Sequence, residues 1–359
     1  MSISSVARSF LIHKFNKVPV FYMVDLKISK MAKIFVTRKI PGEHIEKLKT
    51  AGYEVDISDF DRPLTQEELV EKVKGIDALL CLLTDRIDGD LMDAAGPQLK
   101  IISNYAVGFD NIDVKAATDR QILVCNTPSD EVNESVAEHT WALILALSRR
   151  IVEADEAVRR GAYKGWEPDI FLGINLVGKT LGIVGLGRIG SMVARRAKGY
   201  NMTALYNSRT PDPEVEKELG VIFSSLDDLL AKSDFVSLHV PLTDETRHMI
   251  NKDSLAKMKK GAYLINTARG PIVDEHDLVE ALRSGHLVGA ALDVYDNEPN
   301  IDPELIGMEN VVLTPHIASA TIEARAKMGE QAVAAILNTL SGQKPQNLVD
   351  KNVWDTRRK

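Results

Sequence analysis

Three polar side chains each close an apolar run in the second half of the chain. Arg269 follows Leu264-Ile-Asn-Thr-Ala268, Glu298 comes soon after Ala290-Ala-Leu-Asp-Val-Tyr295, and His316 follows Val311-Val-Leu-Thr-Pro315. If those runs are parallel strands, all three groups stand where ligands of open α/β sheets sit. A guanidinium there can hold a carboxylate with two hydrogen bonds and polarise a neighbouring ketone. An imidazole titrates near neutrality and can supply a proton. A carboxylate beside the ring orients it and favours its protonated form. Reduction of a 2-oxo acid needs these groups and a hydride. The reading therefore gives Arg269 the substrate and the His316–Glu298 pair the proton. Each residue alone also has a plainer reading: a surface charge, a loop residue before Pro299, and a helix cap after Pro315.

The hydride source is suggested by Gly185-Leu186-Gly187-Arg188-Ile189-Gly190, set directly after the apolar run Leu181-Gly-Ile-Val184. Glycine at such a turn lets phosphates reach the backbone, and the helix that follows points free N–H groups at a diphosphate. This context marks the segment as a dinucleotide-binding turn. An acid roughly 20 residues further on would hold a ribose 2′-hydroxyl. Here the second strand ends Leu205-Tyr-Asn-Ser-Arg-Thr210, and no acid appears before Asp212. A hydroxyl and a guanidinium at Ser208 and Arg209, with Thr210 beside them, suit a 2′-phosphate. The reading favours NADPH over NADH, with binding of NAD through Asn207 and ribose contacts as the alternative.

Two α/β units must position these groups. Apolar runs at 34–36, 78–83, 100–104 and 122–125 read as buried parallel strands, and polar-faced stretches at 43–51, 66–74, 91–95 and 114–119 as the helices between them. Residues 131–160 read as one long helix, and 161–179 as a connector. A second series places strands at 181–184, 203–207, 235–239, 262–266, 290–293 and 311–313, about the number a dinucleotide-binding sheet uses. The last helix, near 321–340, has no later strand to cross to and is expected to dock on the first unit. The expected fold is α/β, with two doubly wound parallel-sheet domains. A Rossmann cofactor domain, residues 131–317, is inserted into a flavodoxin-like substrate domain made of 31–130 and 318–345.

With 359 residues and a net charge of −7 spread along the chain, there is room for two cores and no basic stripe for nucleic acid. No apolar run approaches the roughly 20 residues of a membrane span, and no metal is called for. Cys81 and Cys125 lie inside apolar runs and read as buried, inert thiols, so the bulk of the chain reads as cytoplasmic. Residues 1–30 hold Arg8, Lys14 and Lys17 and no acid before Asp25; an extension ahead of a true start at Met31 is favoured over an organellar transit segment.

Thr267-Ala-Arg-Gly270, Leu292-Asp-Val-Tyr-Asp-Asn-Glu-Pro299, Thr314-Pro-His-Ile-Ala318 and His239-Val-Pro-Leu-Thr243 resemble the signatures of the D-isomer-specific 2-hydroxyacid dehydrogenases, over nearly all of 33–349. The resemblance implies Arg269 as substrate-binding cation, Glu298 as the partner of the histidine, and His316 as acid/base. It also implies diphosphate contacts at Leu186–Gly190, cofactor contacts at Thr267 and Ala268, Pro241 at the nicotinamide site, Asp293 facing the carboxamide, and a homodimer. Asn104-Tyr-Ala-Val107-Gly108-Phe-Asp-Asn-Ile-Asp113 looks like the glyoxylate reductase branch, and backbone N–H groups near Val107 and Gly108 suit a carboxylate. The implied activity is NADPH-dependent reduction of glyoxylate to glycolate and of hydroxypyruvate to D-glycerate. Other D-2-hydroxyacid dehydrogenases and phosphite dehydrogenase share this chemistry. A dinucleotide-sensing corepressor is the alternative of another class. Trp166 reads as a linker aromatic in preference to a substrate contact.

Overall fold

The computed structural model describes residues 31–358 and, ahead of them, the backbone of two short antiparallel strands at Phe10–Leu11 and Tyr22–Met23. The expectation for residues 1–30 otherwise lies outside the described residues.

The first sheet has five parallel strands: β1 (Lys33–Val36), β2 (Glu54–Ile57), β3 (Ala78–Cys81), β4 (Ile101–Asn104) and β5 (Leu123–Cys125), in the order β2-β1-β3-β4-β5. The second has seven: β6 (Thr180–Val184), β7 (Thr203–Asn207), β8 (Ile222–Phe223), β9 (Phe235–Leu238), β10 (Ala262–Asn266), β11 (Leu287–Leu292) and β12 (Val311–Leu313). All its neighbours are parallel, in the order β8-β7-β6-β9-β10-β11-β12. Both are doubly wound, so each has a topological switch point at the carboxyl ends of its strands.

Every residue of β3, β4, β9 and β10 is buried, as expected of strands covered on both faces. The two strands absent from the sequence reading are edges. In β2 the residues alternate between exposed and half-buried and include two acids, and β8 is two exposed residues long. Neither carries the apolar run that marks a central strand.

The helical stretch 131–160 is not continuous. It divides into α1 (Asp130–Ser148), capped by Ser129, and α2 (Ile151–Arg159), with Arg150 between them at φ 52°. The cause is a tertiary hydrogen bond: the Ile174 N–H donates to the Ser148 carbonyl at 2.8 Å, taking the acceptor that the next helical turn would use. Further on come α3 (Arg188–Ala197), which begins at the glycine turn, and α4 (Ile322–Leu340), capped by Thr321. Helix α4 lies against the first sheet. Ala332, Val333 and Ile336 share a core with Ile101 and Leu123, and the Ser103 hydroxyl donates to the Ala332 carbonyl at 2.9 Å.

Candidate active site

A cleft of about 550 Å³ lies between the carboxyl ends of the two sheets. The first unit contributes Val107, Gly108, Phe109 and Asp110 to its walls; the second contributes His239, Pro241, Thr267, Ala268, Arg269 and His316. A more open hollow of about 580 Å³ beside β1 and β2 is lined by Arg38, Lys39 and Phe60 and contains none of these groups.

At one end stands the glycine turn. Gly185 adopts φ +101°, and a Cβ there would lie 2.8 Å from the His239 backbone. A Cβ on Gly190 would collide with the Gly185 carbonyl, so Gly190 lets α3 pack on the strand end. Gly187 has nothing within 4 Å of its Cβ position, and no side chain caps α3 there. The first N–H groups of a ten-residue helix therefore face open space beside an unobstructed backbone, a cradle that fits a diphosphate.

At the end of β7, Ser208 donates to the Thr210 carbonyl at 2.7 Å, and Arg209 is exposed, with no salt bridge among the described residues. Asp212 caps the next helix by accepting from the Val215 N–H at 3.1 Å, so the next carboxylate along the chain is turned into a helix terminus. Thr267 is buried against Thr140, their hydroxyls 2.9 Å apart, and the Ala268 N–H donates to Asn266.

Arg269, Glu298 and His316 come together in space. His316 Nδ1 lies 2.9 Å from Glu298 Oε2. The other carboxylate oxygen, Oε1, accepts from the Tyr295 N–H at 3.1 Å. Arg269 donates from Nε to Asp110 across the cleft at 2.9 Å and from Nη1 to the Ala268 carbonyl at 2.8 Å. A Cβ on Gly108 would occupy the place of the Arg269 guanidinium, so the absence of a side chain there lets the guanidinium take this position.

The His316 turn is built around Asp293, which has no exposed surface. His316 has φ 53°, unusual for a residue with a side chain, and its N–H donates to the Asp293 carbonyl at 2.9 Å. The Asp293 carboxylate accepts from the Thr314 hydroxyl and from the N–H groups of Ile317 and Ala318 at 2.6–2.8 Å, with His139 Nε2 3.4 Å away. Burial pushes this carboxyl up, but the donors from His139, Thr314, Ile317 and Ala318 outweigh it and leave it below the ordinary aspartate value. The side chain expected to face a carboxamide is thus engaged with the turn that carries His316. The cleft's other imidazole, His239, has Nε2 2.9 Å from Ser237; its ring is desolvated, which lowers it to about 4 and leaves it neutral at physiological pH.

Val107 and Gly108 line the cleft, though their carbonyls accept from Asn126 and Asn104. Trp166 is 83% exposed and does not line the cleft. The sequence does not single out Asp110, His139 or Tyr295 as site residues. Each acts through a partner far along the chain or through its backbone, for which local spacing gives no signal.

Residues 141–318 match the family model of the D-isomer-specific 2-hydroxyacid dehydrogenase NAD-binding domain. The chain is 48% identical over 330 residues to the glyoxylate reductase of Thermococcus onnurineus, covering 91% of this chain and 98% of that protein. This chain belongs to the D-isomer-specific 2-hydroxyacid dehydrogenase family, on its glyoxylate reductase branch. Among solved structures, a Thermus thermophilus protein superposes with TM-score 0.83 at 45% identity, covering 89% of this chain and all of that one. The NADPH-dependent glyoxylate/hydroxypyruvate reductase of Sinorhizobium meliloti, solved with NADP and malonate, superposes with TM-score 0.79 at 32% identity, covering 92% and 99%. Family membership makes this chain an oxidoreductase of 2-oxo and 2-hydroxy acids that uses a nicotinamide dinucleotide. Among the described residues, no helix is long and apolar enough to cross a membrane.

Proposed function

We propose that the protein reduces glyoxylate to glycolate and hydroxypyruvate to D-glycerate, with NADPH as the preferred cofactor. The observation that carries the reading is the meeting of Arg269 with the His316–Glu298 pair in one cleft that also opens on the glycine turn. The names of the relatives support the substrate class.

In this reading Arg269 holds the substrate carboxylate and polarises the ketone, while backbone N–H groups at Val107 and Gly108 help to seat the carboxylate. A nicotinamide dinucleotide bound at the glycine turn would supply the hydride for the carbonyl carbon. His316 gives its Nε2 proton to the forming hydroxyl, and Glu298 holds the ring through Nδ1 so that Nε2 faces the substrate. The product is the 2-hydroxy acid. Gly185, Leu186, Gly187, Arg188, Ile189 and Gly190 would seat the diphosphate. Ser208, Arg209 and Thr210 would hold a 2′-phosphate, and Pro241, Thr267, Ala268 and Asp293 would serve the nicotinamide end. Residues 31–130 and 318–345 act as the substrate lobe, 131–317 act as the cofactor lobe, and two copies form a homodimer.

The test is a panel of purified protein against glyoxylate, hydroxypyruvate and longer 2-oxo acids with NADPH and with NADH. The expected result is loss of reduced-nicotinamide absorbance with the two small acids, fastest with NADPH. No turnover with any pair would sink the reading and favour a dinucleotide-sensing binding protein.

A further inference from the structure

We infer that Tyr295 is a positioning residue that locks the Glu298–His316 pair from both sides, a role that rests on the reductase reading above. Three turns carry Arg269, Glu298 and His316, and Tyr295 touches all three. Its backbone N–H donates to Glu298 Oε1 at 3.1 Å, which leaves Oε2 to face His316 Nδ1 at 2.9 Å. Its phenol donates to the Thr314 carbonyl at 2.9 Å, two residues before His316, and lies 3.3 Å from the Leu292 carbonyl. Its own carbonyl packs so closely on Gly270, the residue after Arg269, that no Cβ fits there.

The geometry gives the hydroxyl a specific task. His316 sits at φ 53°, so its turn needs external restraint to keep the imidazole aimed. The Glu298 loop is otherwise tied down at Asp296, whose N–H donates to Glu275 at 2.8 Å. One phenolic proton therefore couples the loop that carries the acid to the turn that carries the imidazole. The ring is buried. Burial and the nearby Asp293 and Glu298 charges raise the phenol to about 12, so the proton stays in place across the working pH range.

The test is Tyr295→Phe, which keeps the ring and removes the hydroxyl, made alone and in a Glu298→Gln background. The single variant is expected to lose about tenfold in kcat for glyoxylate reduction, with KM changed by less than about twofold. In the Glu298→Gln background the same change should cost less than about twofold, because the pair it positions is already broken. The unfolding transition should fall only slightly, as for the loss of one buried hydrogen bond, and NADPH affinity should stay at the wild-type level. A single variant with wild-type kcat overturns the inference, as does an equal loss in both backgrounds. A collapsed unfolding transition overturns it too, by making the phenol a general strut. A wild-type protein inactive toward every 2-oxo acid refutes the reductase reading and this role with it; an active wild type matched by Tyr295→Phe refutes the role alone.

Discussion

Asp110 and Arg269 stand 159 positions apart in the chain, yet the aspartate accepts from Nε of the arginine at 2.9 Å across the cleft. The contact ties the first sheet's loop to the second sheet's loop. It also fixes the rotation of the guanidinium: Nε and Nη1 are engaged by protein, and Nη2 faces Gly108. An arginine aimed in this way loses little further freedom on gripping a carboxylate.

Asp110→Asn should therefore lower kcat/KM for the 2-oxo acid by about tenfold, because the amide holds the guanidinium less firmly. Gly108→Ala should cost more, about a hundredfold, since the new methyl would take the guanidinium's place and force Arg269 to another rotamer. Steady-state kinetics on both variants, with melting curves as a folding control, check the ranking. A Gly108→Ala enzyme as active as wild type would break the link between this glycine and the arginine's aim.

Glu298→Gln should lower kcat by roughly 10- to 100-fold with substrate KM nearly unchanged. The carboxylate accepts at Oε2 from His316 Nδ1, which fixes the ring's orientation and leaves Nε2 free for substrate. An amide can present its NH₂ instead and reverse that assignment. Since Arg269 is untouched, binding should persist. A large rise in KM with normal kcat would place Glu298 in substrate binding instead.

Much of this site was legible in the sequence because its parts end apolar runs. Arg269 and His316 follow strands whose residues are nearly all buried, and the glycine turn follows another, so a run of apolar letters reports both the strand and the position of its mouth. The contacts that aim these groups were not legible. Asp110, Tyr295 and Asp293 act through partners set by how loops from separate strands meet; by type the first two suggest a surface acid and a core aromatic, and the family resemblance implies only a cofactor contact for Asp293. The same limit applies to the fold. The long helix breaks because a distant Ile174 N–H captures its Ser148 carbonyl, and β2 and β8 lack the apolar pattern because edge strands do not need it.

In the proposed reading the cofactor preference turns on Arg209, an exposed guanidinium at the end of β7 with no salt bridge among the described residues. Arg209→Ala should lower kcat/KM with NADPH by at least about tenfold and leave the NADH value within about twofold. The ratio of the two efficiencies is the quantity to measure, because it cancels damage common to both cofactors. An unchanged ratio would return Arg209 to the role of a solvated surface residue.

Cys81 and Cys125 end β3 and β5 as free, buried thiols. Burial and the nearby Asp85 raise the Cys81 thiol well above its ordinary value, and burial raises Cys125 to about 12. Neither should form thiolate at neutral pH. The native protein should therefore resist thiol-labelling reagents, and both cysteines should react once it is unfolded. Rapid labelling of the native form would show that these strands open easily.

Asp293 gives a pH dependence whose sign follows from its surroundings. Its folded-state carboxyl lies below the ordinary value, so the folded state binds this proton less readily than the unfolded chain. The stabilisation is fully present above the unfolded value of about 3.9 and is lost as pH falls through the folded value. Asp293→Asn removes the charge that accepts from Thr314, Ile317 and Ala318. At neutral pH this should destabilise the protein by about 3 kcal/mol, the range for breaking a buried, charge-assisted network. Below about pH 4 the unfolded chain takes up this proton first, so the gap between the two proteins should begin to narrow, and it should close further as pH falls through the lower folded value. Denaturant melts of both proteins at neutral and acid pH test this. A gap that stays constant would mean these donors are satisfied equally well by an amide, and the charge on Asp293 would then contribute nothing to holding the His316 turn.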